Sequence, residues 1–257
     1  DTIQEPLTGR KWEFTMFPVA WSELKDTNTL AKSLPMLEQL LVYGSYPDII
    51  MQDEKEELLS ALSGSYLYKD ILELGGIRKP EVLVRLLQAL AWQVGNEVSY
   101  NELSKTVGID KETIVSYINL LEKSFVIYRL NPLSRNVRKE ISTSRKIYFY
   151  DNGIRNAIIN NFKPISQRND VGALWENYFI TERIKLNAYQ KLSNKSYFWR
   201  SKSHAEIDYV EEGTEGFIAY EVKWNEKKNA KFNTSFTNSY QPKDMIIINR
   251  SNFWNYL

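Results

Sequence analysis

Apolar positions along the chain change their period several times, and the changes mark out its elements. Val82, Leu83, Leu86, Leu87, Leu90, Ala91 and Val94 recur at three- and four-residue spacing, which predicts a helix with one buried stripe. Ser99 followed by Glu102 reads as a capping box opening a short helix over 100–107. Gly108-Ile109-Asp110 then turns the chain, and Asp110 is placed to cap a helix over 111–123 with Ile114, Ile118 and Leu121 inward. Two strand-like runs follow, over 125–130 and 146–150. A short helix, a turn and a longer helix, with two strands after them, form the winged helix-turn-helix layout.

Upstream, the alternation around Trp12, Phe14 and Met16 predicts a strand over 11–18, ended by Pro18, and Ser22 is a plausible cap for the helix behind it. Helical spacing returns over 34–41 and 56–74, with a turn at Gly44-Ser45-Tyr46-Pro47 between them. Downstream, Val171, Leu174, Trp175 and Tyr178 form the stripe of a helix over 171–187. Strands are predicted over 197–200, 206–210 and 217–224, then a further segment over 228–239 and a strand over 244–249. The chain thus divides into a helical, lid-like segment (1–75), a winged helix (76–160) and an αβββαβ domain (161–257), an α/β protein of mixed type.

The chemistry concentrates in the last domain. Strands over 205–210 and 216–224 flank the polar turn region 211–215, so as a hairpin they bring Asp208 toward Glu221. Residues two apart in a strand share a face, so Glu221 and Lys223 project together. Ile207, Tyr209, Val222 and Trp224 would then face the core. Two carboxylates about 4 Å apart repel by roughly 4 kcal/mol at an effective dielectric near 20. Gathering them calls for a cation, and oxygen-only ligands favour Mg²⁺ or Mn²⁺. On a plain sheet face, Glu221 and Lys223 would instead form a surface pair worth about 0–1 kcal/mol.

Composition narrows the remaining possibilities. Zero cysteines exclude disulfides and thiol catalysis, and the single His204 excludes a multi-histidine metal site. No apolar run approaches the ~20 residues of a bilayer span, and no signal sequence is visible, which predicts a cytoplasmic protein without a membrane partner. Thirty-three basic against thirty-two acidic residues leave a net charge of +1, so any nucleic-acid binding needs a local patch. One candidate is the wing: Arg135, Arg138, Lys139, Arg145 and Lys146 face only Glu140 in acid. Lys111 and Thr113 on the second helix would join it, although Glu112 beside them would be repelled by DNA. Such a wing suits phosphate contact, or equally a solvated loop or a protein-docking face.

The order of Glu176 on a helix, Asp208 on a strand and Glu221-x-Lys223 on the next resembles the PD-(D/E)XK nuclease superfamily. That resemblance implies Asp208 and Glu221 as ligands of Mg²⁺ or Mn²⁺, Lys223 as the lysine that orients water, and Glu176 as the acidic residue of the first helix. Glu206-Ile207 stands where the family usually has a Pro, a looser variant. Further phrases extend the likeness: Leu7-Thr8-Gly9-Arg10, Gly44-Ser45-Tyr46-Pro47, Pro132-Leu133-Ser134-Arg135-Asn136 and Leu174-Trp175-Glu176-Asn177. Together they resemble prokaryotic AAA+ ATPases that carry a C-terminal domain of unknown function with a nuclease-like fold. The resemblance implies a DNA-associated ATPase, with DNA, other ATPase subunits or a partner protein as partners. Its alternative form is an inactive nuclease fold that serves as a binding module. The chain begins Asp1-Thr2-Ile3 and has no Gly-x-x-x-x-Gly-Lys-[Ser/Thr] loop, so ATP is expected only in an upstream module and this sequence reads as a fragment.

Overall fold

The computed structural model describes residues 14–27, 34–66, 71, 80–134, 145–201, 205–226 and 232–257. Its strands are β1 (Glu97–Val98), β2 (Ile127–Pro132), β3 (Arg145–Phe149), β4 (Lys195–Arg200), β5 (Glu206–Gly213), β6 (Gly216–Val222) and β7 (Asp244–Ile248). They form one mixed sheet in the order β1-β3-β2-β4-β5-β6-β7. The helices are α1 (Trp21–Thr27), α2 (Leu37–Tyr43), α3 (Pro47–Met51), α4 (Lys55–Ala61), α5 (Pro80–Trp92), α6 (Tyr100–Val107), α7 (Lys111–Lys123), α8 (Asn152–Ile158), α9 (Val171–Tyr189) and α10 (Thr234–Tyr240).

The middle of the chain folds as its periodicity predicts. The α5 stripe of Val82, Leu83, Leu86, Leu87, Leu90 and Ala91 is buried, and α6 and α7 match their expected limits. Asp110 caps α7 by accepting the Thr113 N–H at 2.8 Å, whereas Ser99 makes no side-chain cap on α6. β1, β3 and β2 form an antiparallel set beside these helices. This set does not end as a separate sheet. β2 continues parallel to β4 through Asn131–Tyr197 and Pro132–Phe198, and Leu133 N–H donates to the Phe198 carbonyl at 2.7 Å.

In the last third, α9 is followed by three antiparallel strands, then α10, then β7 parallel to β6. α9 lies over one face, where Phe179 meets Tyr220, and α10 covers the other, where Phe236 meets Trp199. β5 runs three residues beyond its expected end, β6 stops two residues short of its own at Val222, and the turn shrinks to Thr214-Glu215 between Gly213 and Gly216. Glu211 can sit inside β5, almost fully buried, because Arg183 of α9 grips both of its oxygens at 2.9 and 2.5 Å. The strand expected over 11–18 does not form in its described part, residues 14–18. α1 begins one residue before Ser22, and Glu23 accepts the Ala20 N–H at 2.7 Å in place of a serine cap. Among the described residues no helix is long and apolar enough to cross a membrane.

Candidate functional site: a carboxylate and lysine cluster

The site begins with a fault in β5. Pairing with β4 passes from Tyr197–Val210 to Trp199–Ile207, so three steps on β5 span two on β4. The extra residue makes a β-bulge, which turns the strand locally and re-aims a side chain. Ile207 and Val210 consequently both face the smaller core under α10, while Tyr209 enters the main core under α9. The single inward face expected for Ile207, Tyr209 and Val222 is thereby split. Asp208 lies within the bulge, at the point where the β5–β6 ladder stops with Tyr209–Tyr220.

Beyond that point β6 keeps pairing with β7 as far as Val222–Ile248. The Val222 N–H, freed from β5, donates to Asp208 Oδ2 at 2.8 Å. Lys223 Nζ stands 2.8 Å from Asp208 Oδ2 and 2.6 Å from Glu221 Oε2. Asp208, Glu221 and Lys223 therefore come together as the hairpin predicts. Both carboxylates are buried, and the Lys223 side chain remains 23% exposed. Burial, reinforced by the charge of Asp208, pushes Glu221 up to about 7. Burial works against the charge of Lys223, but Asp208 and Glu221 outweigh it and raise its pKa.

A second cluster adjoins the first. Lys146 of β3 is 1% exposed, and its ammonium pairs with Glu176 of α9 at 3.0 Å and with Glu206 of β5. Tyr148, two residues along β3, donates its hydroxyl to the same Glu176 Oε1 at 2.6 Å. Burial opposes the Lys146 charge, yet Glu176, Glu206 and Asp208 hold its pKa above the ordinary value. Burial likewise raises Glu176, Lys146 counters it, and Asp208 raises it further, so the two clusters sense one another.

Glu176 is thus held by Lys146 and Tyr148, beside the Asp208–Glu221 pair. Lys146, expected on a basic wing, is buried in this network instead, so it offers no charge to a nucleic acid. Of the other wing residues, Arg145 lies 5.6 Å from the Tyr100 ring centre, while Arg135, Arg138 and Lys139 lie outside the described residues. Lys111 is exposed at the start of α7, and Thr113 is occupied by Asp110, bonding it through both N–H and hydroxyl. The roles of Lys146, Tyr148 and Glu206 were missed in the sequence, although one signal was present. Lys146 and Tyr148 share a strand face by their i, i+2 spacing, opposite Ile147 and Phe149.

The donors here are oxygens, the kind a hard divalent cation takes. Asp208 and Glu221 are adjacent oxygen donors, each with one oxygen outside its ion pair with Lys223. Across both clusters four carboxylates face two ammonium groups, and Glu206 also acts on the Arg200 guanidinium. Among the described residues, no three His, Cys, Asp or Glu side chains are gathered tightly enough to hold a metal ion. The donor set is a pair.

Comparison with known proteins finds two matched regions in the chain. A family model described as a domain of unknown function (DUF8612) matches residues 34–164, half of the chain. A second, also described as a domain of unknown function (DUF4143), matches residues 171–254. An uncharacterized protein of Haemophilus influenzae is 26% identical over 234 residues, covering 85% of this chain and 56% of its own length. One of Mycobacterium tuberculosis is 27% identical over 181 residues, covering 68% and 40% respectively. One of Methanocaldococcus jannaschii is 26% identical over 145 residues, covering 55% and 30%. The chain therefore spans about half the length, or less, of these curated relatives. No solved structure matches. Lys146 and Tyr148 fall in the first matched region and Glu176, Asp208, Glu221 and Lys223 in the second, so the cluster draws on both. On the match that covers half of its length, the chain belongs to the family of the domain of unknown function DUF8612.

Proposed function

We propose that this chain is the C-terminal part of a DNA-associated AAA+ ATPase, and that its last domain hydrolyses phosphodiesters with a divalent cation in a PD-(D/E)XK-like fold. The observation that carries this reading is the meeting of Asp208, Glu221 and Lys223 at a β-bulge where two strands part. The order helix, three antiparallel strands, helix, parallel strand supports it as well. Asp208 and Glu221 would hold the ion, which when bound supplies acidification of water and stabilisation of charge on the phosphate. Lys223, tethered by both carboxylates and partly open to solvent, keeps a positive charge at the rim where a phosphate oxygen would lie. In the reaction a water oxygen bonds to phosphorus, the bond to the leaving oxygen breaks, and the water proton ends on that oxygen or in solvent. The nucleotide-binding module would belong to the longer protein, because this sequence has no phosphate-binding loop.

A second reading has its own observation. Lys223 already occupies both carboxylates, and the acidic donors number two, which suits an inactive platform that binds DNA or protein. A Mn²⁺ titration separates the two readings. A catalytic site should show saturable Mn²⁺ binding and Mn²⁺-dependent cleavage of a DNA substrate, both lost in Asp208→Ala. Absence of a saturable site, or one that survives Asp208→Ala, would leave the platform reading in place.

A further inference from the structure

We propose that Lys146 is a positioning residue that sets the number of acidic donors in the Asp208–Glu221 site, by keeping Glu176 out of the ligand set. This inference rests on the metal-binding reading above and deepens it. Lys146 comes from β3, outside the αβββαβ segment that supplies the carboxylates. A lysine at 1% exposure is costly unless it is fully paired, and a leucine would fill the same space without desolvating a charge. Packing alone therefore gives no reason for an ammonium at this position.

Its partners supply the reason. The ammonium lies between Glu176 and Glu206, and Glu206 sits two residues before Asp208 in β5. It also stands 5.6 Å from the Phe198 ring centre, which closes off its remaining side. Glu176 Oε1 receives both Lys146 and the Tyr148 hydroxyl, so two donors from one strand face fix the carboxylate. With Glu176 held in this way, the acidic donors beside Lys223 are Asp208 and Glu221. Without the ammonium, Glu176 would be a buried carboxylate with the Tyr148 hydroxyl but no counter-charge, and turning toward a bound cation would compensate it.

The test is a Mn²⁺ titration with a count of metal-bound waters by water-relaxation enhancement, on the whole chain. Six-coordinate Mn²⁺ held by two monodentate carboxylates keeps about four waters. Lys146→Met should tighten Mn²⁺ binding on the order of a hundredfold, the scale of one unit charge removed roughly 10 Å from a dication at an effective dielectric near 20. It should also remove one bound water. Lys146→Met combined with Glu176→Gln should restore both values, and Lys146→Arg, which keeps the charge, should match the wild type. If Lys146→Met does not fold, the water count of Glu176→Gln alone decides: an unchanged count supports the inference, and an added bound water, showing that Glu176 was a ligand, overturns it. A wild-type site with affinity and water count unmoved by Lys146→Met overturns this inference alone. A Mn²⁺ site that appears only in Lys146→Met supports it. Absence of a saturable site in both wild type and Lys146→Met overturns it together with the reading beneath it.

Discussion

At the scale of single residues, most of the charge buried in this protein is paired, and the pairs differ in what they do. Asp170, just before α9, accepts from Arg155 at 2.5 Å and from Arg168 at 2.8 Å. Burial would raise its pKa, but the two guanidinium groups overcome it and hold the carboxyl at about 2. A folded pKa below the ordinary 3.8 means that the folded state favours the ionised form. The resulting stability is present above pH ~4 and is lost as pH falls through ~2, with a full size of about 2 kcal/mol. Urea unfolding of wild type and Asp170→Asn should differ by at least that amount at pH 7, and by roughly half of it at pH 3. A difference independent of pH would show that the arginines act through packing. Individual roles were only partly legible in the sequence. Asp208, Glu221 and Lys223 could be placed together from strand alternation and the expected hairpin. The bulge could not, because one inserted residue in a ladder leaves no trace in composition, and it decides which way Ile207 and Tyr209 face.

At the scale of elements, helices with a clean apolar stripe were legible and elements held by tertiary polar contacts were not. α5, α6 and α7 have their stripe or cap written locally. α8 has neither an apolar stripe nor ordinary helix-forming composition, and nearly all of it is buried. Asp151 caps it by accepting the Ile154 N–H at 3.0 Å, and the same carboxylate accepts the Ser45 N–H at 2.7 Å. Asn156 donates to the Leu41 and Val42 carbonyls at 3.1 and 2.8 Å, which docks α8 against the end of α2. Gly153 permits that approach, because a Cβ there would overlap the Tyr43 carbonyl, a backbone atom with nowhere to retreat. Gly153→Ala should therefore destabilise the protein by about 1–3 kcal/mol in chemical denaturation, despite the better helix propensity of alanine. Unchanged or increased stability would mean that α2 and α8 separate freely.

At the scale of the whole molecule, the two matched regions are joined by more than chain connectivity. The sheet runs across the seam through the β2–β4 pairing, and Lys146 carries β3 into the carboxylate cluster. Asn177 of α9 closes the junction: its Oδ1 accepts the Phe149 N–H at 2.8 Å, and its Nδ2 donates to the Phe149 carbonyl at 3.0 Å and to Asn152 Oδ1 at 2.8 Å. Tyr128 of β2 and Thr181 of α9 share a further buried hydrogen bond of 2.9 Å. The succession of elements suggests a division at 160, but the sheet's continuity across it was not legible, since a parallel pairing of two residues has no sequence mark. Separate domains would unfold in separate steps; a shared sheet and shared buried polar groups couple them into one. Asn177→Ala leaves the buried Phe149 N–H without its partner, while the Phe149 carbonyl keeps the Thr181 hydroxyl at 3.2 Å, at a cost of about 1–3 kcal/mol. Amide hydrogen exchange should then show protection falling by the same factor in β3 and in β5 and β6. A loss confined to β3, with β5 and β6 still fully protected, would show that the last domain keeps its own stability and that the seam is only a contact.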